Sequence, residues 1–196
     1  MSRRTTTLPP DYFEDKYRGQ IDPWDFRTSA YEQQKYAATI AALGRPRYHK
    51  ALEIGCSIGV LTGHLAQRCD EILAIDASAT AIAAARNNGI ANAVFISGCV
   101  PQDFPTGRFD LIVLSEILYY FAGPDLTRVA ARCADALTSS GEIIACHWLG
   151  ETDYPLTGEQ ASEHFARQIA GHLPVRAIVH DDIFRLERFA RAPISI

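Results

Sequence analysis

The chain has 196 residues, 47% hydrophobic and 21% charged, which suffices for one well-cored domain and excludes two large ones. With 19 Lys and Arg against 23 Asp and Glu the net charge is -4, and no basic block is present, so nucleic acid is a poor candidate partner. Five scattered cysteines (Cys56, Cys69, Cys99, Cys133, Cys146) form no C-x-x-C pair, and Glu116 breaks the longest apolar stretch, "FDLIVLSEILYYFAG".

A disulfide framework, a zinc site and a membrane span are therefore not expected, and neither is a secretory leader, because "MSRRTTTLPPDYFEDKYRG" lacks an apolar segment. The expected setting is the reducing cytoplasm, as a monomer or homodimer, in one domain over residues 1–196. Residues 1–45 would form an arm and helical flap, and residues 50–196 the core.

In chain order, residues 1–10 read as a loose polar arm. From Asp11 to Leu43 the pattern is helical, with Ser29 as a cap and Tyr31, Lys35 or Tyr36, Ile40 and Leu43 near one face. An alternation follows: strand "ALEI", helix "GVLTGHLAQRC", strand "EILAID", helix "SATAIAAARNNG" capped by Ser78, strand "AVFISG". After the loop "CVPQDFPTG" come strand "RFDLIVLSE", helix "GPDLTRVAARCADALTSSG" and strand "EIIACHWLG". The tail reads as a helix, "TGEQASEHFARQIAGH", and two closing strands, "PVRAIVHD" and "DIFRLERFAR", the latter with Ile183, Arg185, Glu187 and Phe189 on one side. Such alternation predicts an α/β Rossmann-like fold: a doubly wound, mostly parallel seven-stranded sheet with helices on both faces.

The turn in "ALEIGCSIG" narrows the ligand. A dinucleotide site wants G-x-G-x-x-G, and here Ser57 replaces the second glycine between Gly55 and Gly59. No Gly-Lys-Ser/Thr follows, so a Walker loop is excluded as well. Asp76 ends the next strand, where a carboxylate accepts from ribose hydroxyls, and Glu53 adds negative charge beside the turn. That charge repels phosphate and suits a cation, which points to S-adenosyl-L-methionine, a nucleoside with a sulfonium and no phosphate.

"LEIGCSIG", "ILAIDAS" and "FDLIVLSEILYYF" together resemble a class I S-adenosylmethionine-dependent methyltransferase. More narrowly, "DPW" at 22–24, "LEIGC" and "SEILYY" resemble the NodS-like methyltransferases, over roughly residues 20 to 150. The resemblance implies N-methylation of a deacetylated glucosamine unit in a chitin-oligosaccharide signal. It also implies a cofactor site in which Gly55, Cys56, Ser57 and Gly59 form the turn, Asp76 holds the ribose and Ala77 leaves room for adenine. Val100 would donate a backbone N–H to the adenine ring, and Ser115 and Glu116 would face the methionine part and the substrate entrance. Cys99 stands where many relatives carry an acid for the adenine amino group, and a thiol is a weaker acceptor.

For chemistry, Glu116, Tyr119, Tyr120 and His147 all follow strands at the sheet edge where ligands bind. Each has a plainer reading: Glu116 as a salt bridge, one of the tyrosines as core, His147 as a satisfied strand-end histidine. Trp24 and Tyr31 suit a lid over the cofactor, and Asp153 and Tyr154 could border the substrate. The remaining histidines read as surface residues, and "HDD" at 180–182 lacks the spaced partners of a metal site. The readings open at this point are an N-methyltransferase on a small-molecule acceptor, an O-methyltransferase, and a non-catalytic cofactor-binding module, with a NAD enzyme disfavoured.

Overall fold

The computed structural model describes residues 3–180 and 182–191; Asp181, and with it part of the "HDD" reading, lies outside them. Seven strands form one sheet: β1 (Tyr48–Ile54), β2 (Cys69–Asp76), β3 (Ala93–Ser97), β4 (Phe109–Ser115), β5 (Leu137–Trp148), β6 (Val175–His180) and β7 (Phe184–Ala190). Their order is β3-β2-β1-β4-β5-β7-β6. Neighbours from β3 to β5 pair in parallel, whereas β7 runs antiparallel to both β5 and β6. The helices are α1 (Pro10–Gly19), α2 (Ala30–Ala41), α3 (Val60–Leu65), α4 (Ala79–Arg86), α5 (Gly123–Ala136) and α6 (Gly158–Ile169).

The near-continuous apolar runs of the central strands arise because both faces are covered, with successive residues serving opposite cores. Leu52, Ile54, Ile112, Leu114, Ile143 and Ala145 pack with α5 and α6 residues such as Val129 and Phe165. Their alternates Ala51, Leu111, Val113, Ile144 and Cys146 pack with Tyr36, Leu61, Leu65 and Ile82 from α2, α3 and α4. On β7, Arg185, Glu187 and Phe189 do alternate as expected, and Arg185 pairs with Glu159 and Glu163 of α6 and with Glu187. Ile183 precedes that strand.

Three sequence expectations need correction. Residues 137–141 open β5 rather than closing the preceding helix: Leu137 is buried opposite Phe109, and a register shift then brings Glu142 opposite Leu111. The Thr-Ser-Ser run favours leaving the helix at Ala136. The stretch 11–43 is two helices, split by a loop in which the Asp22 carboxylate accepts from the N–H groups of Phe26 and Arg27. Residues 3–8 are no loose arm. Leu8 is buried and its N–H donates to Tyr120 O, the Thr7 hydroxyl donates to Asp125, and Arg4 N–H reaches Asp153 O. The Ser29 and Ser78 caps are both in place, accepting from Glu32 N–H and Ala81 N–H.

Gly59, the N-cap of α3, sits at φ +78°, and a Cβ there would lie 3.2 Å from Ala85 Cβ and 3.3 Å from Phe95. Gly59→Ala is expected to lower stability by about 1–2 kcal/mol from the left-handed backbone alone, with crowding against α4 and β3 adding to it. Chemical denaturation of the purified variant checks this; an unchanged midpoint would rule out the close approach.

Candidate functional site

A cavity of about 430 Å³ opens at the carboxyl ends of β1, β2, β4 and β5, roofed by α1 and the start of α2. This size is ordinary for a small-molecule site, and the carboxyl edge is where open α/β sheets bind ligands. Its floor is the turn after β1. Gly55 and Ser57 both have left-handed backbones, at φ +79° and +51°. A Cβ on Gly55 would lie 3.0 Å from Ile117 Cδ1, so a side chain would crowd the cavity from below.

Asp76 ties the turn together. Its Oδ2 accepts from Ser57 N–H at 2.8 Å and its Oδ1 from Ser78 N–H at 2.9 Å. Burial raises the Asp76 pKa, and the backbone donors only partly offset that. The N–H groups of Gly55 and Cys56 are used up on Ile75 O, so they are not available to cradle a phosphate. Tyr17 of α1 reaches down, its hydroxyl donating to Ser57 Oγ at 2.5 Å. Glu53 is 2% exposed and accepts from the Thr62 hydroxyl at 2.6 Å; burial pushes its pKa up to about 8.

Cys56, Ala77, Cys99, Val100 and Ser115 border the same cavity, as do Trp24 and Tyr31 from the flap. Trp24 packs edge-on against Tyr17, ring centroids 5.6 Å apart. The Cys99 N–H is taken by Asp103, a carboxylate four residues on.

At the other end stands Glu116. Its Oε1 accepts from Lys35 Nζ at 2.7 Å, and its Oε2 from the Tyr119 hydroxyl at 2.5 Å and the Trp148 N–H at 3.0 Å. Burial pushes the Glu116 carboxyl up, yet the Lys35 ammonium and these hydrogen bonds outweigh it and hold its pKa below the usual range. Tyr119 lies well above the usual phenol range, from burial and from the charge of Glu116. Around it Tyr154 stacks at 5.4 Å and Tyr120 meets it edge-on at 4.7 Å.

Three candidates from the sequence stand outside the cavity lining, Gly59, His147 and Asp153, the last of which meets Arg4 instead, whereas Tyr154 does line it. Gly59 serves the turn and the packing of α3. His147 is fully buried because the pleat turns it toward the same face as Ile143 and Ala145, where its Nε2 accepts from Leu118 N–H at 3.1 Å. Burial lowers its pKa to about 4, so it stays neutral, and it holds the turn after β4, away from the cavity lining. Glu116, expected among the catalytic residues, does line the cavity and accepts from three donors there.

Sequence reasoning missed Lys35, Tyr17 and Trp148. A lysine among Tyr31 and Tyr36 on the inward face of a helix was the available signal for Lys35. Nothing in the sequence pairs it with Glu116, 81 residues away.

A parallel sheet closed by an antiparallel β7, with a glycine turn and a carboxylate, Asp76, at its open edge, defines the class I methyltransferase fold. The family description "Nodulation protein S (NodS)" matches residues 14–146, and the chain belongs to the NodS family. Nodulation protein S of Bradyrhizobium diazoefficiens is 39% identical over 102 residues, 50% of this chain and 49% of that protein. That of Azorhizobium caulinodans is 29% identical over 71% of this chain and 70% of its own. The chain spans about half the length of the first curated relatives it matches. The structure of N-methyltransferase NodS from Bradyrhizobium japonicum WM9 in complex with S-adenosyl-L-homocysteine is similar at TM-score 0.76, over 92% of this chain and 98% of that one, at 19% identity.

Proposed function

We propose that the chain methylates the neutral amine of a small acceptor, such as the free amine of a deacetylated amino sugar, using S-adenosyl-L-methionine. The donor set suits that cofactor: a carboxylate for ribose hydroxyls (Asp76), a buried acid for a cation (Glu53), and no phosphate cradle. Gly55, Cys56 and Ser57 would lie under the methionine part, Ala77, Cys99 and Val100 along the adenine, and Ser115 near the transfer end. S-adenosylmethionine supplies an electrophilic methyl on a cationic sulfur that leaves without protonation. The chain's own work is to bind, align and exclude water, with the described part of the 1–45 arm and flap, residues 3–45, over the core and Trp24 and Tyr31 as lid residues.

The observation that carries the amine reading is the lack of a poised base among the described groups at the Glu116 end. Glu116 is engaged by three donors, one of them in an ion pair, Glu32 is paired with Lys35, Tyr119 stays a phenol and His147 is walled off. A hydroxyl acceptor needs its proton removed, whereas a neutral amine attacks through its lone pair. A carboxylate acceptor would meet Glu116 as a like charge. We further propose a cytoplasmic enzyme, which the five unpaired thiols support.

The test is a panel of substrate pairs differing only in a free or acetylated amine, with the product read by mass and methyl position by NMR. Methylation of the free-amine member alone is expected. Methylation of the acetylated member would sink the amine reading, and cofactor binding without turnover of any acceptor would favour a binding module.

A further inference from the structure

Lys35 is 1% exposed, on a helix of the flap, and its ammonium lies 2.7 Å from Glu116 and 2.8 Å from Glu32. An apolar residue would fill that site without desolvating a charge. Glu116 itself sits at φ +57°, a left-handed conformation that a non-glycine residue keeps only when its surroundings fix it. Its N–H is tied to Cys146 O, and both carboxylate oxygens are tied, one to Lys35 and the other to Tyr119 and Trp148. Tyr119 borders the cavity, and after donating to Glu116 its oxygen keeps lone pairs to accept with.

We propose that Lys35 is a positioning residue for methyl transfer: it clamps the Glu116 carboxylate so that Oε2 fixes the Tyr119 hydroxyl as an oriented acceptor for the amine N–H. This rests on the amine reading above. The clamp holds hydrogen bonds and moves no proton. It also couples the flap to the transfer site, since Lys35 comes from α2 and Glu116 from the end of β4. The groups facing the pair are Glu32, Tyr31 and Tyr36 from α2, Tyr119 and Tyr120 from the turn after β4, and Cys146 and His147 from β5. Of these, His147 is held neutral by burial and Glu32 is itself paired with Lys35. Lys35 is therefore the group whose removal leaves Glu116 buried without a countercharge.

The test uses full-length protein labelled with ¹³C-glutamate, the Glu116 carboxyl signal being assigned by its loss in Glu116→Gln. In wild type this signal is expected not to titrate between about pH 5 and 8, well above an ordinary glutamate. In Lys35→Met it is expected to titrate inside that window, and in Lys35→Arg to behave as wild type. With a chitin tetramer carrying one free amine, Lys35→Met is expected to lower kcat by about 10²-fold, the scale of a misplaced contact, with KM for S-adenosylmethionine nearly unchanged. Lys35→Arg should recover most of that loss, and Lys35→Met should cause little further loss in a Glu116→Gln background. A Glu116 titration that ignores Lys35→Met, or equal kcat losses in both backgrounds, overturns the proposal. If melting curves show Lys35→Met unfolded, Lys35→Gln replaces it with the same expected titration. The methyl position in the wild-type product judges the amine reading separately: methylated oxygen would sink that reading while the carboxyl titration still decides the clamp.

Discussion

Asp76→Ala is expected to weaken S-adenosylhomocysteine binding at least about a hundredfold in calorimetry while the protein stays folded. The side chain does two things at once. It offers acceptors at the end of β2, and it anchors the turn after β1 by taking the N–H groups of Ser57 and Ser78. Each hydrogen bond to a charged group contributes roughly 1.5–3 kcal/mol, and two orphaned N–H groups would release a turn held in a left-handed conformation at Ser57. With about 1.4 kcal/mol per tenfold in affinity, loss of both exceeds two decades. Asp76→Asn, which can still accept from one N–H, should fall between the two. Binding by Asp76→Ala within about threefold of wild type, below one such bond, would mean that the ligand does not use this turn.

The second large effect concerns Glu53 and pH. Its carboxyl has an ordinary pKa near 4.5 in the unfolded chain and about 8 when buried beside Thr62. Between those values the folded protein holds a proton that the unfolded chain has released, so stability falls as pH rises through this window and levels off above it. The full penalty is on the order of 5 kcal/mol, from about 1.4 kcal/mol per tenfold change in proton affinity. Denaturation midpoints should therefore drop from pH 6 to pH 8.5 in wild type and stay flatter in Glu53→Gln. A cation seated against Glu53 reverses the preference and expels the proton. S-adenosylmethionine should accordingly bind more tightly at pH 8 than at pH 6, with a binding heat that varies with the ionisation enthalpy of the buffer. A buffer-independent heat would place the cation elsewhere.

The sheet was legible because its cause is local. Strands buried on both faces read as unbroken apolar runs, and the stops after β1 and β2 lay where the chain turned, though Ser139, Ser140 and Gly141 lie inside β5. The glycine turn after β1 and the carboxylate that ties it were legible for the same reason, since Gly55, Ser57 and Asp76 lie within 22 residues of one another. What escaped was set by contacts between distant segments. Leu8 gives no sign in sequence that it will be buried and hydrogen-bonded to Tyr120, and Lys35 gives none that Glu116 awaits it. His147 was misread because a strand covered on both faces hides which of two neighbours looks toward the cavity; it is Trp148 that borders it. Residues 137–141 were misread because a bulge shifts the register of β5, which no periodicity reports.

The state of the thiols has a practical consequence. Four cysteines are buried, Cys69 with a pKa pushed up to about 12, and only Cys99 is partly accessible, on the rim of the cavity. A maleimide dye under mild alkaline conditions would thus mark one defined place on the unmodified chain. Because Cys99 lines the part of the cavity proposed for adenine, S-adenosylhomocysteine bound beforehand should slow that labelling, so the labelling rate reports occupancy of the cavity without an acceptor having first to be identified.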